Sequence, residues 1–177
     1  IEEVSPDIAA DDVEYIAALT GPQDLRLSLY VDPRKQDMRF KLYRQLQDIP
    51  LSDALPMMEN MGLRVITEHP YRVDGEAGLA WIQEFEVQSL LGPLDVDALD
   101  EDFEDAFAAV WRGDAENDGF NRLVLAAGLT WKQVAMLRAY CKYLLQTGVP
   151  FSQSYMEATL ARYPLLSRLL VELFEAR

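Results

Sequence analysis

Asp114, Glu116, Asp118 and Gly119 are spaced as D-x-E-x-D-G, the opening of a calcium-binding loop. That chemistry needs a bidentate glutamate at the twelfth position to close the oxygen shell. Leu125 stands there instead. These carboxylates therefore read as helix-start groups, with Asp118 or a neighbour capping the helix that follows. A second acidic run, Asp95, Asp97, Asp100, Glu101, Asp102, Glu104 and Asp105, places Glu101 and Asp105 one helical turn apart on one face. No histidine accompanies it, so a solvated helix face is the expectation rather than a divalent-cation site. His69, the only histidine, adjoins Pro70 in a strand-like stretch. A titrating role would require a nucleophile or carboxylate beside it in space, and it reads as a surface or partly packed side chain. Cys141 falls on an apolar helical stripe and reads as a small core residue, because a reactive thiol wants an electropositive, accessible setting. Trp111, Trp131, Tyr140 and Tyr143 read as helix-packing aromatics. No catalytic, cofactor-binding or metal-binding residue is assigned.

Other chemistries are excluded by what the chain lacks. The nine glycines never form GxGxxG, and none precedes Lys-Ser or Lys-Thr as a P-loop requires. One cysteine and one histidine build neither an internal disulfide nor a Cys/His zinc centre. Thirty acidic residues against 16 basic ones give a formal net charge of -14. That balance disfavours nucleic acid and anionic membrane surfaces as partners. No apolar run approaches the roughly 20 residues of a membrane span, no secretory signal pattern is present, and the cytoplasm is the expected location. At 177 residues the chain is long enough to bury about 70% of its unfolded surface. It begins at Ile1 without methionine and stops at Arg177 within an apolar, helix-like stretch, so both ends read as cuts in a longer protein.

The elements that must position these residues change character near Pro93. Residues Ile8 to Leu19 have helical spacing, stopped by Gly21-Pro22. Leu25, Leu27, Leu29 and Val31 alternate with polar residues, and so do Met38, Phe40 and Leu42, which predicts two strands of a hairpin. Ser52 is placed as the N-cap of a helix through Leu55, Met58 and Met61, ended by Gly62. Leu63 to Val73 reads as a strand, with Pro70 marking an edge or a bulge. A turn over Asp74 to Gly78 leads to a fourth strand through Leu79, Trp81, Phe85 and Val87, interrupted by Gln83. Helices are expected over Asp95 to Arg112, Glu116 to Ala127, Thr130 to Thr147 and Ser152 to Arg162. A last helix begins at Leu165 and carries Leu166, Leu169, Leu170, Leu173 and Phe174. Thr130 with Gln133 resembles a capping box. The prediction is an α+β antiparallel module of order β-β-α-β-β-α over residues 1–93, followed by an all-helical module over 94–177.

Several ordered stretches carry a resemblance. They are Leu55-Pro56-Met57-Met58-Glu59-Asn60-Met61-Gly62-Leu63-Arg64-Val65-Ile66, then Ala115 to Leu125 with Ala127-Gly128-Leu129, then Leu137-Arg138-Ala139-Tyr140, and Phe151-Ser152-Gln153-Ser154-Tyr155. Together they resemble the large bacterial NAD-specific glutamate dehydrogenases, from about Leu25 to Arg177. The resemblance implies an ACT-like, ferredoxin-like module, the last of several, followed by helices that precede the catalytic domain. It implies a parent enzyme that oxidatively deaminates L-glutamate to 2-oxoglutarate and ammonia with NAD as cofactor, and none of whose catalytic residues falls in this chain. The implied partners are the rest of the polypeptide and other subunits, with an amino-acid effector as a further one. ACT modules often carry glycine in the loop after the first core strand. Here the link from Tyr43 to Ser52 holds Pro50 and no glycine, so the module is ACT-like rather than standard. The expectation is a non-catalytic regulatory or assembly segment. The alternative is a stand-alone amino-acid-sensing or protein-interaction module.

Overall fold

The computed structural model describes residues 6–75 and 78–176. Four antiparallel strands, β1 (Leu25–Val31), β2 (Met38–Gln45), β3 (Leu63–Gly75) and β4 (Gly78–Ser89), form one sheet in the order β1-β2-β4-β3. Helix α1 (Pro6–Ala17) precedes it and α2 (Leu51–Asn60) joins β2 to β3. The helical part comprises α3 (Asp100–Arg112), α4 (Leu123–Ala127), α5 (Trp131–Gln146), α6 (Gln153–Arg162) and α7 (Pro164–Glu175). This is the α+β order expected, with a helical part after it.

Alternation of side chains along each strand gives the sheet two unlike faces. Leu27, Leu29, Phe40, Leu42, Phe85 and Val87 lie on the face covered by α2 and α3, and all six are buried. There Phe40 meets Phe103 and Phe107 of α3 edge to face, each with ring centroids 5.0 Å apart. The buried cluster continues without a break through Phe120, Leu123 and Leu137 to Val171. The opposite face is largely polar. Its small cluster of Tyr43, Ile82 and Leu19 lies with Tyr15 and Ile16 of α1 and with Tyr71.

Local chemistry explains where the predicted elements shift. The backbone at Pro50 is extended, and its carbonyl accepts the Asp53 and Ala54 amides, so α2 starts at Leu51. Ser52 is thus inside the helix, not its N-cap, and its hydroxyl donates to the Asp53 carboxylate. Gly62 does supply the left-handed stop, with φ of 88°. Strand β3 is an edge strand, as Pro70 suggested, but the register shift falls between Val65 and Thr67. Residues 76 and 77 of the expected turn lie outside the described residues, as do Ile1 and Arg177. The helix expected over Asp95 to Arg112 is divided: Val96–Ala98 is a 3-10 turn, and Leu99 leaves helical geometry with φ of -125° before α3 begins. The helix expected from Glu116 is a 3-10 turn, Gly119–Arg122, that runs into α4. The capping box of Thr130 and Gln133 is formed in full at the start of α5, and Ser152 caps α6.

One member of the acidic run departs from the solvated face. Glu104 is half-buried and accepts the backbone N–H of Leu29 at 2.7 Å. Leu29 belongs to the edge strand β1, so Glu104 occupies a donor that would otherwise be open to a foreign strand. Burial, then repulsion by Asp100, Asp105 and Glu101, pushes its carboxyl up to about 7, against the lowering effect of the Leu29 amide. The folded chain therefore holds this proton more tightly than the unfolded one. The contribution of Glu104 to stability is full below the ordinary glutamate range near 4.5 and is lost as pH rises to about 7. Glu104→Gln keeps an acceptor for Leu29 and removes the charge. Its stability advantage over the parent chain is expected to grow between pH 4.5 and 7, as read by urea denaturation at each pH; a constant difference would refute this assignment.

Candidate functional site

Three features stand out as candidates: a buried ion pair, a polar sheet face and an uncovered apolar groove. The ion pair contains the calcium-like spacing. Asp118 accepts the Phe120 amide at 3.1 Å and so caps the 3-10 turn. Its carboxylate also takes a two-point contact from Arg138 of α5, Nε at 2.8 Å and Nη2 at 2.9 Å. Arg138 reaches Asn121 Oδ1 at 2.7 Å and lies over the Phe120 ring. Gln153 of α6 donates to Asp118 at 3.4 Å and to Glu157 at 2.8 Å. Glu116 pairs with Lys142, whose hydrogen bond holds its carboxyl below the usual carboxylate range. The stretches around residues 138 and 153 thus converge on one carboxylate, that of Asp118. A cation already occupies the carboxylate, and the arrangement fastens the 3-10 turn, α5 and α6 together.

On the polar sheet face, Lys41 and Tyr43 of β2 hold the carboxylate of Asp12 from α1. Tyr30 donates to one oxygen of Glu84 at 2.8 Å and Tyr71 to the other at 3.2 Å. Arg39 pairs with Asp37 at 2.8 Å. Burial, then the Asp12 hydrogen bond, pushes the Tyr43 hydroxyl far above the ordinary tyrosine range, so it acts as a donor throughout. A cavity of about 700 Å³ opens between α1 and strands β1 and β2.

The groove lies among α5, α6 and α7. Leu137, Tyr140, Cys141, Met156, Leu170 and Phe174 line a cavity of about 470 Å³ there. Its outer rim is apolar and open: Leu173 is 60% exposed and Phe174 48%. Of the α7 leucines that the sequence placed on an apolar face, none is buried; Ser167 and Val171 are the buried residues of that helix. Tyr140 and Tyr143 are also exposed, contrary to a packing role, although Tyr140 meets Phe174 edge to face at 5.9 Å. Trp111 and Trp131 do pack against the core. Cys141 is buried, and desolvation followed by Glu157 pushes its thiol up. His69 is partly buried on β3, opposite Glu84 in the register. Among the described residues no three His, Cys, Asp or Glu side chains come together as metal ligands.

Sequence reading missed Arg138, Lys41 and Asp12. Arg138 carried a signal: a cation inside the apolar stripe of Val134, Leu137 and Cys141 demands a buried acid. Lys41 and Asp12 are 29 positions apart and carried none. Replacing Arg138 by methionine leaves the Asp118 carboxylate poorly paired in a largely dry site. The expected loss is about 3 kcal/mol, measured by urea denaturation; a loss within about 0.5 kcal/mol, as for a surface change, would show the pair to be peripheral.

Residues 24–99 match the family model of the glutamate dehydrogenase ACT3 domain, and residues 115–177 match that of glutamate dehydrogenase helical motif 3. The chain is 41% identical over 179 residues to an NAD-specific glutamate dehydrogenase of Halomonas elongata and 39% identical over 180 residues to that of Pseudomonas aeruginosa, in each case across 99% of the chain. It is 40% identical over 176 residues, 94% of the chain, to the NAD-specific glutamate dehydrogenase of Mycobacterium tuberculosis. The chain spans 11% of the length of each of these relatives. The sheet thus falls within the match to one glutamate dehydrogenase domain model and the last helices within the match to another.

Proposed function

We propose that this chain is a non-catalytic assembly and regulatory segment of an NAD-dependent glutamate dehydrogenase. The parent enzyme, on this reading, oxidatively deaminates L-glutamate to 2-oxoglutarate and ammonia while reducing NAD in the cytoplasm. Residues 1–93 form its ACT-like module and 94–177 its helical module. The observation that carries the assembly role is the uncovered apolar face of α7 beside the α5–α6 groove. Leucines exposed in this density are the mark of a surface that meets other protein. The rest of the parent polypeptide, or a neighbouring subunit, is its proposed cover. The NAD chemistry belongs elsewhere in that enzyme. The sheet is antiparallel throughout, and the link from β2 to α2 has no glycine, whereas a dinucleotide cradle is a glycine turn between a parallel strand and a helix.

Two measurements test this reading. The 177-residue chain alone is expected to produce no NADH from glutamate and NAD; turnover by it would overturn the non-catalytic assignment. Leu173→Glu in the full-length enzyme is expected to impair assembly, seen as a changed elution volume in gel filtration and a loss of activity. In the chain alone it is expected to shift stability by no more than about 0.5 kcal/mol, as for an exposed position. A full-length variant with unchanged elution and activity would remove α7 from the assembly surface.

A further inference from the structure

Asp12 occupies its place on the sheet in the way a bound ligand would. Lys41 Nζ donates to both of its carboxylate oxygens, at 2.7 and 2.9 Å, and the Tyr43 hydroxyl donates to one of them at 2.7 Å. Both donors stand on β2, an inner strand, and the Lys41 side chain is only 3% exposed. They are rigidly held. The acceptor is not built into the fold to the same degree: α1 has no buried residue, and its apolar hold is Tyr15 stacked on Tyr43 at 4.9 Å together with Ile16. Glu84, which stands opposite Lys41 in the register, is taken by the hydroxyls of Tyr30 and Tyr71.

A second cation sits on the same face. Arg26 of β1 donates through Nη2 to the Ala18 carbonyl at the end of α1 and reaches Asp24 at 3.4 Å. Its Nε is buried without a hydrogen-bond partner among the described residues. Lys41 and Arg26 both line the cavity of about 700 Å³ under α1, a size in the range of small-molecule sites. While α1 is in place, that cavity is also walled by Asp7, Asp11, Asp12 and Glu14, and α1 has no basic residue. An anion is repelled by this arrangement. Lifting α1 removes all four acids at once and leaves Lys41, Arg26 and the Tyr43 hydroxyl facing open space.

We propose that the β1–β2 face is a binding site for a small dicarboxylate, and that α1 is a self-ligand that closes it with Asp12. One carboxylate of the ligand takes the place of Asp12 on Lys41 and Tyr43. The other reaches Arg26 and meets its Nε. Helix and ligand exclude each other, because both use the same donors and carry the same charge. Ligand binding therefore shifts the chain toward the state with α1 released, by as much as its affinities for the two states differ. This stands apart from the assembly reading and needs no enzymatic activity.

The test uses glutarate as the probe on the chain, with acetate as the one-carboxylate comparison, in titration calorimetry and amide hydrogen exchange. Asp12→Asn weakens the internal plug and is expected to bind glutarate roughly tenfold more tightly than the parent chain, since apparent affinity is reduced by the fraction of closed sites. Saturating glutarate is expected to speed exchange of the α1 amides. Tyr43→Phe keeps the ring on Tyr15, loses the hydroxyl, and is expected to bind several-fold more weakly than the parent. No binding by Asp12→Asn, binding no tighter than the parent, or α1 amides that slow on binding would each overturn the proposal. Acetate binding as tight as glutarate would overturn the dicarboxylate assignment. Circular dichroism of each variant separates lost binding from lost folding, and none of these outcomes bears on the assembly surface of α7.

Discussion

Phe40 joins the two halves of the chain. Its ring, on an inner strand, is fully buried against Phe103 and Phe107 of the first long helix after the sheet. Each of these aromatic contacts adds about 0.5–1.5 kcal/mol to the gain from burial alone. Their larger consequence is positional. With α3 fixed on the sheet, Glu104 reaches the open amide of Leu29, and the core continues through Phe107 into the helices that follow. The remaining features of the molecule are arranged around that contact.

Beyond it, the helices are held by the continuing core and by a few polar contacts, and then run short of cover. Arg138 and Asp118 satisfy each other in a site where either alone would be costly. They fasten α5 to the turn before α4, and Gln153 extends the hold to α6. Ser167 continues the pattern, donating to the Leu160 carbonyl at 2.9 Å, and Arg168 reaches the Ala127 carbonyl at 2.8 Å. The inner side of α7 is therefore polar contact plus Val171, while its leucines face outward. An amphipathic helix ordinarily turns its apolar stripe to its own core. Here the inversion leaves the leucines of α7 exposed. The sheet shows the complementary case: its second face is covered by an acidic helix that adds the Asp12 contact to a small apolar hold through Tyr15 and Ile16.

Much of this was legible from residue spacing. Period-two runs located all four strands, and the glycines at 62, 113, 128 and 148 do take left-handed geometry where helices stop. Thr130 with Gln133 and Ser152 located two helix starts. The failures have local causes. Ser52 is a good capping residue, but Pro50 two positions earlier already presents an extended backbone and starts the helix sooner. Leu99 interrupts a helix that its composition would have continued. Asp114 to Gly119 reads as helix-start chemistry and Asp118 does cap the 3-10 turn, but carboxylate spacing does not reveal that an arginine 20 positions on will pair with it.

By itself the sequence determined most of the elements and their order, because hydrophobic period, caps and turns act over a few residues. It also showed that no nucleotide glycine pattern is present. Only the tertiary structure decided which polar groups meet: Asp12 with Lys41 across 29 positions, Glu104 with Leu29 across 75, Arg138 with Asp118. It alone decided that the leucines of α7 face outward. The physical reason is the same in each instance. Periodicity states that a helix has an apolar side, but which surface that side meets depends on packing between distant elements, and that is set by the whole core.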